Sequence, residues 1–144
     1  MRVRVDASQV RRLADDLGSA GRRVRDKTER IVEKTGHDVV RTGQVNAPVD
    51  TGNLRASIGV DIDADRLGFE AGPYARYGAA IEFGTVPHEI RPRTARALWW
   101  PGAQHPVARV QHPGTAPQPY MIPAFNRHVP RAMSAMAHAA GDIL

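Results

Sequence analysis

The stretch Ala47-Pro48-Val49-Asp50-Thr51-Gly52-Asn53-Leu54-Arg55-Ala56-Ser57-Ile58 marks the change from helix to sheet in this chain. A proline disfavours helical backbone at the residue before it, so a helix arriving from upstream ends before Pro48. The cluster 50–52 combines turn-forming and helix-capping residues, and 53–57 can form a single helical turn. We therefore predict a long helix before this stretch and strands after it.

Upstream of the stretch, residues 2–6 alternate apolar and charged side chains, which predicts a short strand, and Ser8 can cap a helix. An apolar stripe then predicts one helix, or two helices broken near Gly18 and Gly21, that packs on the body of the domain or on a neighbouring subunit. The stripe consists of Val10, Leu13, Leu17, Ala20, Val24, Ile31, Thr35 and Val39. On the charged face, four i,i+4 ion pairs are expected, namely Arg11–Asp15, Arg12–Asp16, Arg22–Asp26 and Asp26–Arg30.

Downstream, residues 58–63 and 67–71 alternate in hydrophobicity around 64–66, which predicts a hairpin. A short central helix is expected to open at Pro73, run through Tyr74, Tyr77, Ala80 and Ile81, and end at Gly84. A C-terminal helix carries Phe125, Val129, Met133, Met136 and Ala140; Pro123 suits its first turn, and Pro130 either kinks it or marks a later start. This order indicates an α+β fold in one domain, residues 1–144, with a small antiparallel sheet.

Residues 86–120 contain seven of the eleven prolines and are expected to form a proline-rich arm. Leu98 to Trp100 and Val107 to Val110 could pair as its strands. Side chains of Trp99 and Trp100 would then point to opposite faces, so at least one needs a partner outside the core, unless both pack locally under the arm. Arg91, Arg93, Arg96 and Arg109 are further candidates for contacts with partner proteins or DNA.

Composition argues against catalysis. The chain has no cysteine, no nucleophile elbow, no phosphate-binding glycine loop and no zinc-ligand spacing among its six histidines. His105 and His112 each precede a proline in loop-like sequence, so a shared metal is not expected. No apolar run approaches the ~20 residues that span a bilayer. We therefore expect no enzyme activity, cofactor, metal, small-molecule substrate or membrane contact, and a protein made in the host cytoplasm.

Three motifs in order resemble the small neck, tail-completion or tail-component proteins of long-tailed double-stranded DNA phages. The first is the Pro-x-Asp-Thr-Gly-x-Leu-Arg turn at 48–55, the second is Glu-Phe-Gly-Thr at 82–85 after Tyr74, Tyr77 and Ile81, and the third is Pro-Tyr-Met-Ile-Pro-Ala at 119–124, preceded by His-Pro-Gly-Thr at 112–115. Their motif residues are Asp50, Thr51, Gly52, Leu54, Arg55, Glu82, Phe83 and Gly84. Tyrosine at 120 replaces the more usual phenylalanine.

The resemblance implies a virion protein at the head–tail junction, in several copies as a ring, beside head-closure and tail terminator or tail tube proteins. We expect Asp50 or Thr51 to cap the short helix, Gly52 to permit the turn, and Arg55 to form an ion pair with Glu82. Alternatives are a tail terminator or other minor tail component, a basic DNA-binding accessory protein favoured by the net charge of +5, and a small histidine-dependent hydrolase.

Overall fold

A computed structural model describes residues 1–16 and 18–142, apart from the side chains of 13–16, 19 and 20. It confirms an α+β fold with a long helix, small antiparallel sheets, a short central helix, the arm and a C-terminal helix. The elements are β1 (Val3–Asp6), α1 (Ser8–Asp16), α2 (Gly18–Asn46), α3 (Asn53–Ser57), β2 (Ile58–Ile62), β3 (Gly68–Pro73), α4 (Gly78–Phe83), β4 (His88–Ile90), β5 (Val110–His112) and α5 (Met121–Gly141).

The main sheet has three antiparallel strands in the order β1-β3-β2. The predicted hairpin is confirmed, because Ile62 of β2 pairs with Phe69 of β3, and Val5 of β1 pairs with the other edge of Phe69. Phe69 is buried and stacks on Phe125 of α5, with ring centroids 6.2 Å apart. The core therefore lies between this sheet and the two long helices.

Helix α2 ends at Asn46, as predicted from Pro48, and Gly18 at its start has a φ of +57°. The described part of the predicted stripe faces the interior: Val24, Thr35 and Val39 are buried, and Ile31 packs against the core. This favours packing on the chain's own body over packing on a neighbour. The predicted positions Leu13, Leu17 and Ala20 lie outside the described side chains.

The two predicted ion pairs for which both side chains are described are wrong. Within the described part of the chain, Arg22–Asp26 and Asp26–Arg30 do not pair, whereas Arg25 binds Glu29 at 3.0 Å. Arg11 contacts Asp65 in the hairpin turn instead of a neighbour on its own helix. The side chains of Asp15 and Asp16 lie outside the description. Arg11 and Arg25 both reach Asp65 in the hairpin turn, a tertiary contact that helical spacing does not indicate.

Two helices differ from their predicted patterns. Helix α4 begins at Gly78, not at Pro73, because Pro73 is the last residue of β3 and pairs with Ile58. In α5, Met133 is 63% exposed, whereas Ala132, Met136 and Ala139 are buried. The buried face of α5 is thus rotated relative to the predicted one, so that it includes Ala132 and Ala139 in place of Met133. Pro123 lies in the first turn as predicted, and the helix continues through Pro130.

Candidate functional site

Glu82 lies at the centre of the contact between α4 and α5. Its Oε2 accepts hydrogen bonds from the backbone N–H groups of Tyr120 and Met121, both at 2.9 Å, and its Oε1 accepts one from Ile122 at 2.9 Å. The first N–H groups of a helix have no partner within the helix, and they carry the positive end of the helix dipole. A carboxylate from another element therefore satisfies the start of α5.

The predicted Arg55–Glu82 ion pair is wrong. Arg55 is exposed on α3, and no ion pair joins it to Glu82 among the described residues. Glu82 is buried, and the positive charge opposite it is that of the α5 N-terminus. The α5 N-cap residue, Tyr120, provides no side-chain cap of its own. Sequence reasoning missed this because the cap comes from a residue 38 positions away.

Tyr120 lies next to Glu82 and is the largest fully buried side chain among the described residues. Its hydroxyl donates a hydrogen bond to the carbonyl of Gly78 at 3.1 Å, so it joins the start of α4 to the start of α5. Burial, together with the negative charge of Glu82, raises the pKa of Tyr120 to about 12. The hydroxyl therefore stays protonated and remains a donor at any physiological pH.

The Asp-Thr-Gly turn before α3 differs in detail from the expected capping. Gly52 is the N-cap, with a φ of 87°, and no side chain caps the helix there. Thr51 Oγ1 accepts a 3.4 Å hydrogen bond from the Asn53 N–H, whereas Asp50 is exposed and forms no ion pair among the described residues. Leu54 is buried in the core. Leu54 thus anchors the turn and leaves Asp50 at the surface.

This turn forms one wall of a surface cleft of about 290 Å³, which we call the motif cleft. Val49 and Tyr77 on its border are 56% and 48% exposed. The motif cleft is lined by Pro48, Val49, Asp50, Thr51, Gly52, Leu54, Tyr77, Ile81 and Gln118. The structure thus brings two of the sequence motifs, the Asp-Thr-Gly turn and the helix before Gly84, to one surface.

The arm begins and ends beside this cleft. The Gln118 N–H donates to the Ile81 carbonyl at 2.8 Å, and the Thr85 and Thr115 backbones exchange two 3.0 Å hydrogen bonds. Gly84 has a φ of 71° and caps α4, and a Cβ there would overlap the backbone carbonyl of Thr115. Glycine at 84 is therefore needed both for the helix end and for the close approach of the returning chain.

The strands of the arm are not those predicted. Strand β4 pairs with β5 through His88↔His112 and Ile90↔Val110, and from the expected pairing only the single bridge Leu98↔Val107 forms in the described chain. No residue from Val86 to Pro119 is buried. Proline removes ladder donors, so this stretch supports only short two-stranded pairings. The arm therefore has no core of its own.

Both tryptophans of the arm remain accessible. Trp99 is 63% exposed and Trp100 is 46% exposed, and neither ring enters the core. Together with Ile90, Leu98 and Val110 they line a second apolar cleft of about 250 Å³. The rings thus make local contacts within the arm and still present a large apolar surface.

The four candidate arginines of the arm fall into two pairs. Arg91 and Arg109 both contact Glu89, the second at 3.5 Å. Arg93 and Arg96 are exposed and form no ion pair among the residues that the structure describes. Two cationic groups therefore lie free near the tryptophans in sequence.

One histidine shares a cleft with a carboxylate, which is the feature expected of the hydrolase alternative. His128 and Asp38 both line a groove between α2 and α5. Asp38, however, pairs with Lys34 and with Arg41, and the Lys34 hydrogen bond lowers the pKa of that carboxyl. His128 Nε2 lies 2.7 Å from Thr42 Oγ1, with no ion pair to Asp38 among the described residues. The contact between His128 and Thr42 joins α5 to α2. No carboxylate among the described residues orients the imidazole ring, as a catalytic triad requires.

Two further histidines, His88 and His112, lie with their ring centroids 5.0 Å apart across β4 and β5. Within residues 1–16 and 18–142, no group of three or more His, Asp or Glu side chains is placed to hold a metal ion. None of the described helices is long and apolar enough to cross a membrane.

Comparison with known protein families identifies the class of this molecule as a phage tail component. The family model described as "Bacteriophage HK97-gp10, putative tail-component" matches residues 11–84, which is half of the chain. The chain belongs to this HK97-gp10-like family. A tail component is part of the virion, so its partners include other virion proteins. No curated protein and no solved structure matches the chain.

Proposed function

We propose that the chain is a structural virion protein at the head–tail junction, where several copies complete the neck or cap the tail so that the tail joins the head. The main support is its membership of a tail-component family whose matched segment, 11–84, ends at the motif cleft and at the base of the arm. In this proposal residues 1–144 form one domain, and 86–120 serve as its contact arm.

The mechanism is surface complementarity. The sheet and the long helices form a packed body, and the arm, which has no buried residue from Val86 to Pro119, keeps its side chains available for partners. Trp99 and Trp100 are the expected anchors, because tryptophan is enriched among residues that dominate binding at protein interfaces. The partners are neighbouring copies, head-closure proteins, and tail terminator or tail tube proteins.

We also propose that the protein is not an enzyme. The buried carboxylate, Glu82, accepts three hydrogen bonds from the start of α5, and Asp38 is engaged by Lys34 and Arg41. Neither arrangement leaves a base beside an activated nucleophile in the described chain.

The test is deletion of the gene from its phage, followed by electron microscopy of the lysate. A junction protein predicts filled heads and tails of normal length that remain separate, and they should join when the purified chain is added. Overlong tails would instead indicate a tail terminator. Absence of tails would indicate an earlier, minor tail role, and normal joined particles would contradict every tail-assembly role.

Unpaired arginines also favour a second candidate, contact with DNA. Arg93 and Arg96 are exposed cations, and the net charge is +5. If both bind phosphates, replacing both with glutamine should reduce the slope of log affinity against log salt by about 1.8, at about 0.9 per contact. Under the junction proposal these residues face protein, so the slope for duplex DNA should not change.

A further inference from the structure

We propose that Trp99 and Trp100 in the arm of one copy dock into the motif cleft beside Asp50 of the next copy. The inference rests on the proposed junction function, in which several copies assemble. It assigns the contact that joins them. The occupant of the cleft is thus a second copy of this chain.

The motif cleft is small, open and partly apolar. Small-molecule pockets usually occupy about 300–1,000 Å³ and bury most of the ligand's surface, whereas the motif cleft, at about 290 Å³, is open to solvent. Its border is apolar and accessible at Val49 and Tyr77. A cleft of this kind suits one or two aromatic side chains delivered by a neighbouring protein.

Charge complementarity and exposed tryptophans together favour the arm as the source of those side chains. Asp50 lies on the border of the motif cleft and forms no ion pair among the described residues. Arg93 and Arg96, just before the tryptophans in sequence, are likewise without ion pairs in the described chain, whereas Arg91 and Arg109 are already bound to Glu89. Two unpaired cations therefore lie near the apolar anchors in sequence, and an unpaired anion lies beside the cleft.

The geometry makes the contact run from head to tail. The motif cleft lies at the base of the arm, where Ile81 binds Gln118, and the tryptophans lie beyond the β4–β5 ladder. A contact between two different surfaces of the same chain is heterologous, so it propagates from copy to copy and closes into a ring when the rotation permits. A contact between the same surface of two arms would instead be isologous and would stop at a dimer.

Cysteine cross-linking tests the contact directly, because the chain has no cysteine and each introduced thiol is unique. Asn53 is an exposed position of α3 next to the cleft, and Pro101 is an exposed position next to Trp100, so Asn53→Cys and Pro101→Cys both keep the contact residues. Mild oxidation of the two variants mixed together should give a covalent heterodimer. Pro101→Cys mixed with Met133→Cys, an exposed site on α5, is the matched control.

A mixture that yields no Asn53→Cys–Pro101→Cys heterodimer overturns the inference. So does a yield no higher than that of the control, or a Pro101→Cys homodimer as the main product, which would show an arm-to-arm contact. If the wild-type chain still joins heads to tails in that case, only the contact is wrong and the junction role stands.

Charge exchange provides an independent measurement. Asp50→Arg and Arg96→Glu should each weaken self-association roughly fivefold in sedimentation velocity, since exposed ion pairs contribute modestly. The chain carrying both substitutions should recover most of that loss, because the pair forms with reversed charges. Additive loss in the double variant would contradict the proposed pairing of these surfaces.

Discussion

At the scale of single residues, Glu82 fixes the start of the C-terminal helix. A buried carboxylate normally needs a cation, but here its oxygens receive three backbone N–H groups at the start of α5. Hydrogen bonds to a charged group are stronger than neutral ones, and the helix dipole adds to them. One side chain thus holds the C-terminal helix against α4.

Replacing Glu82 with glutamine keeps the size of the side chain but removes its charge and turns an amide N–H₂ toward backbone donors. We expect the free energy of unfolding to fall by about 2 kcal/mol, measured as a lower urea midpoint with an unchanged slope. Glu70→Gln is the matched control, because Glu70 is partly exposed and lies 3.8 Å from Arg4. Equal effects of both substitutions would argue against a special role for Glu82.

At the scale of elements, α2 determines how closely the helices approach the sheet and each other. A Cβ added at Gly36 would lie 2.9 Å from Val60 Cγ2 and 3.3 Å from Phe69 Cγ, and one at Gly43 would lie 2.5 Å from Met121 Sδ. Gly36 and Gly43 lie seven residues apart on one face of α2, where they allow β2, β3 and the start of α5 to approach closely. Packing, not helix propensity, explains glycine at these positions.

Gly36→Ala separates those two effects. Alanine favours an exposed helix by about 1 kcal/mol, whereas overpacking a filled core costs about 1–3 kcal/mol. We expect a net loss of about 1 kcal/mol in the free energy of unfolding, measured by urea titration. At Gly141 a Cβ would meet nothing within 4 Å, so Gly141→Ala should be neutral or slightly stabilising. A stabilised Gly36→Ala protein would contradict the close packing of α2.

The contact between α2 and α5 should depend on pH through His128. Burial lowers the pKa of His128, with further lowering from Arg127, Arg131 and Lys34 and an opposing effect of Asp38. Below the ordinary value of about 6.5, the unfolded chain binds a proton that the folded chain resists. Stability should therefore be constant above that pH and fall as the pH drops below it.

The measurement is the free energy of unfolding between about pH 7.5 and pH 5. His128→Gln should flatten the profile, and His105→Gln, on the exposed arm, should leave it unchanged. Asp38 does not interfere in this range, because its lowered pKa places its own loss of stability at more acidic pH. A wild-type protein that is more stable at the acidic end would contradict the assignment.

At the scale of the whole molecule, the body and the arm have separate tasks. Every buried apolar residue of the described chain lies outside 86–119. Ile90 and Val110 are register partners, so a two-residue Asn-Gly turn can join them and replace 91–109. We expect this shortened chain to keep its unfolding free energy within about 1 kcal/mol and to lose self-association in sedimentation velocity.

The shortened chain should be compared with a full-length Trp99→Ser, Trp100→Ser variant. Both should fold, and both should fail to assemble, because they lack the same anchors. A large loss of stability in the shortened chain alone would mean that the arm supports the body, contrary to the burial pattern.

Local sequence was sufficient to predict the elements whose signals are local. Proline at 48 predicted the end of α2, alternation predicted the β2–β3 hairpin, and Gly84 predicted the end of α4. Each of these follows from the backbone preferences of a few adjacent residues. The same holds for the proline-rich arm, although not for its strands.

Tertiary structure alone decided the contacts between distant residues. The sequence around Glu82 suggested a cationic partner such as Arg55. Its partner is instead the backbone at the start of α5, and no residue type in the sequence indicates such a contact. In α5 the period of the helix was correct, but the buried face includes Ala132 and Ala139 and leaves Met133 exposed, because small residues allow close packing. Periodicity predicts that a helix has a buried face, and only tertiary packing determines which side chains lie on that face.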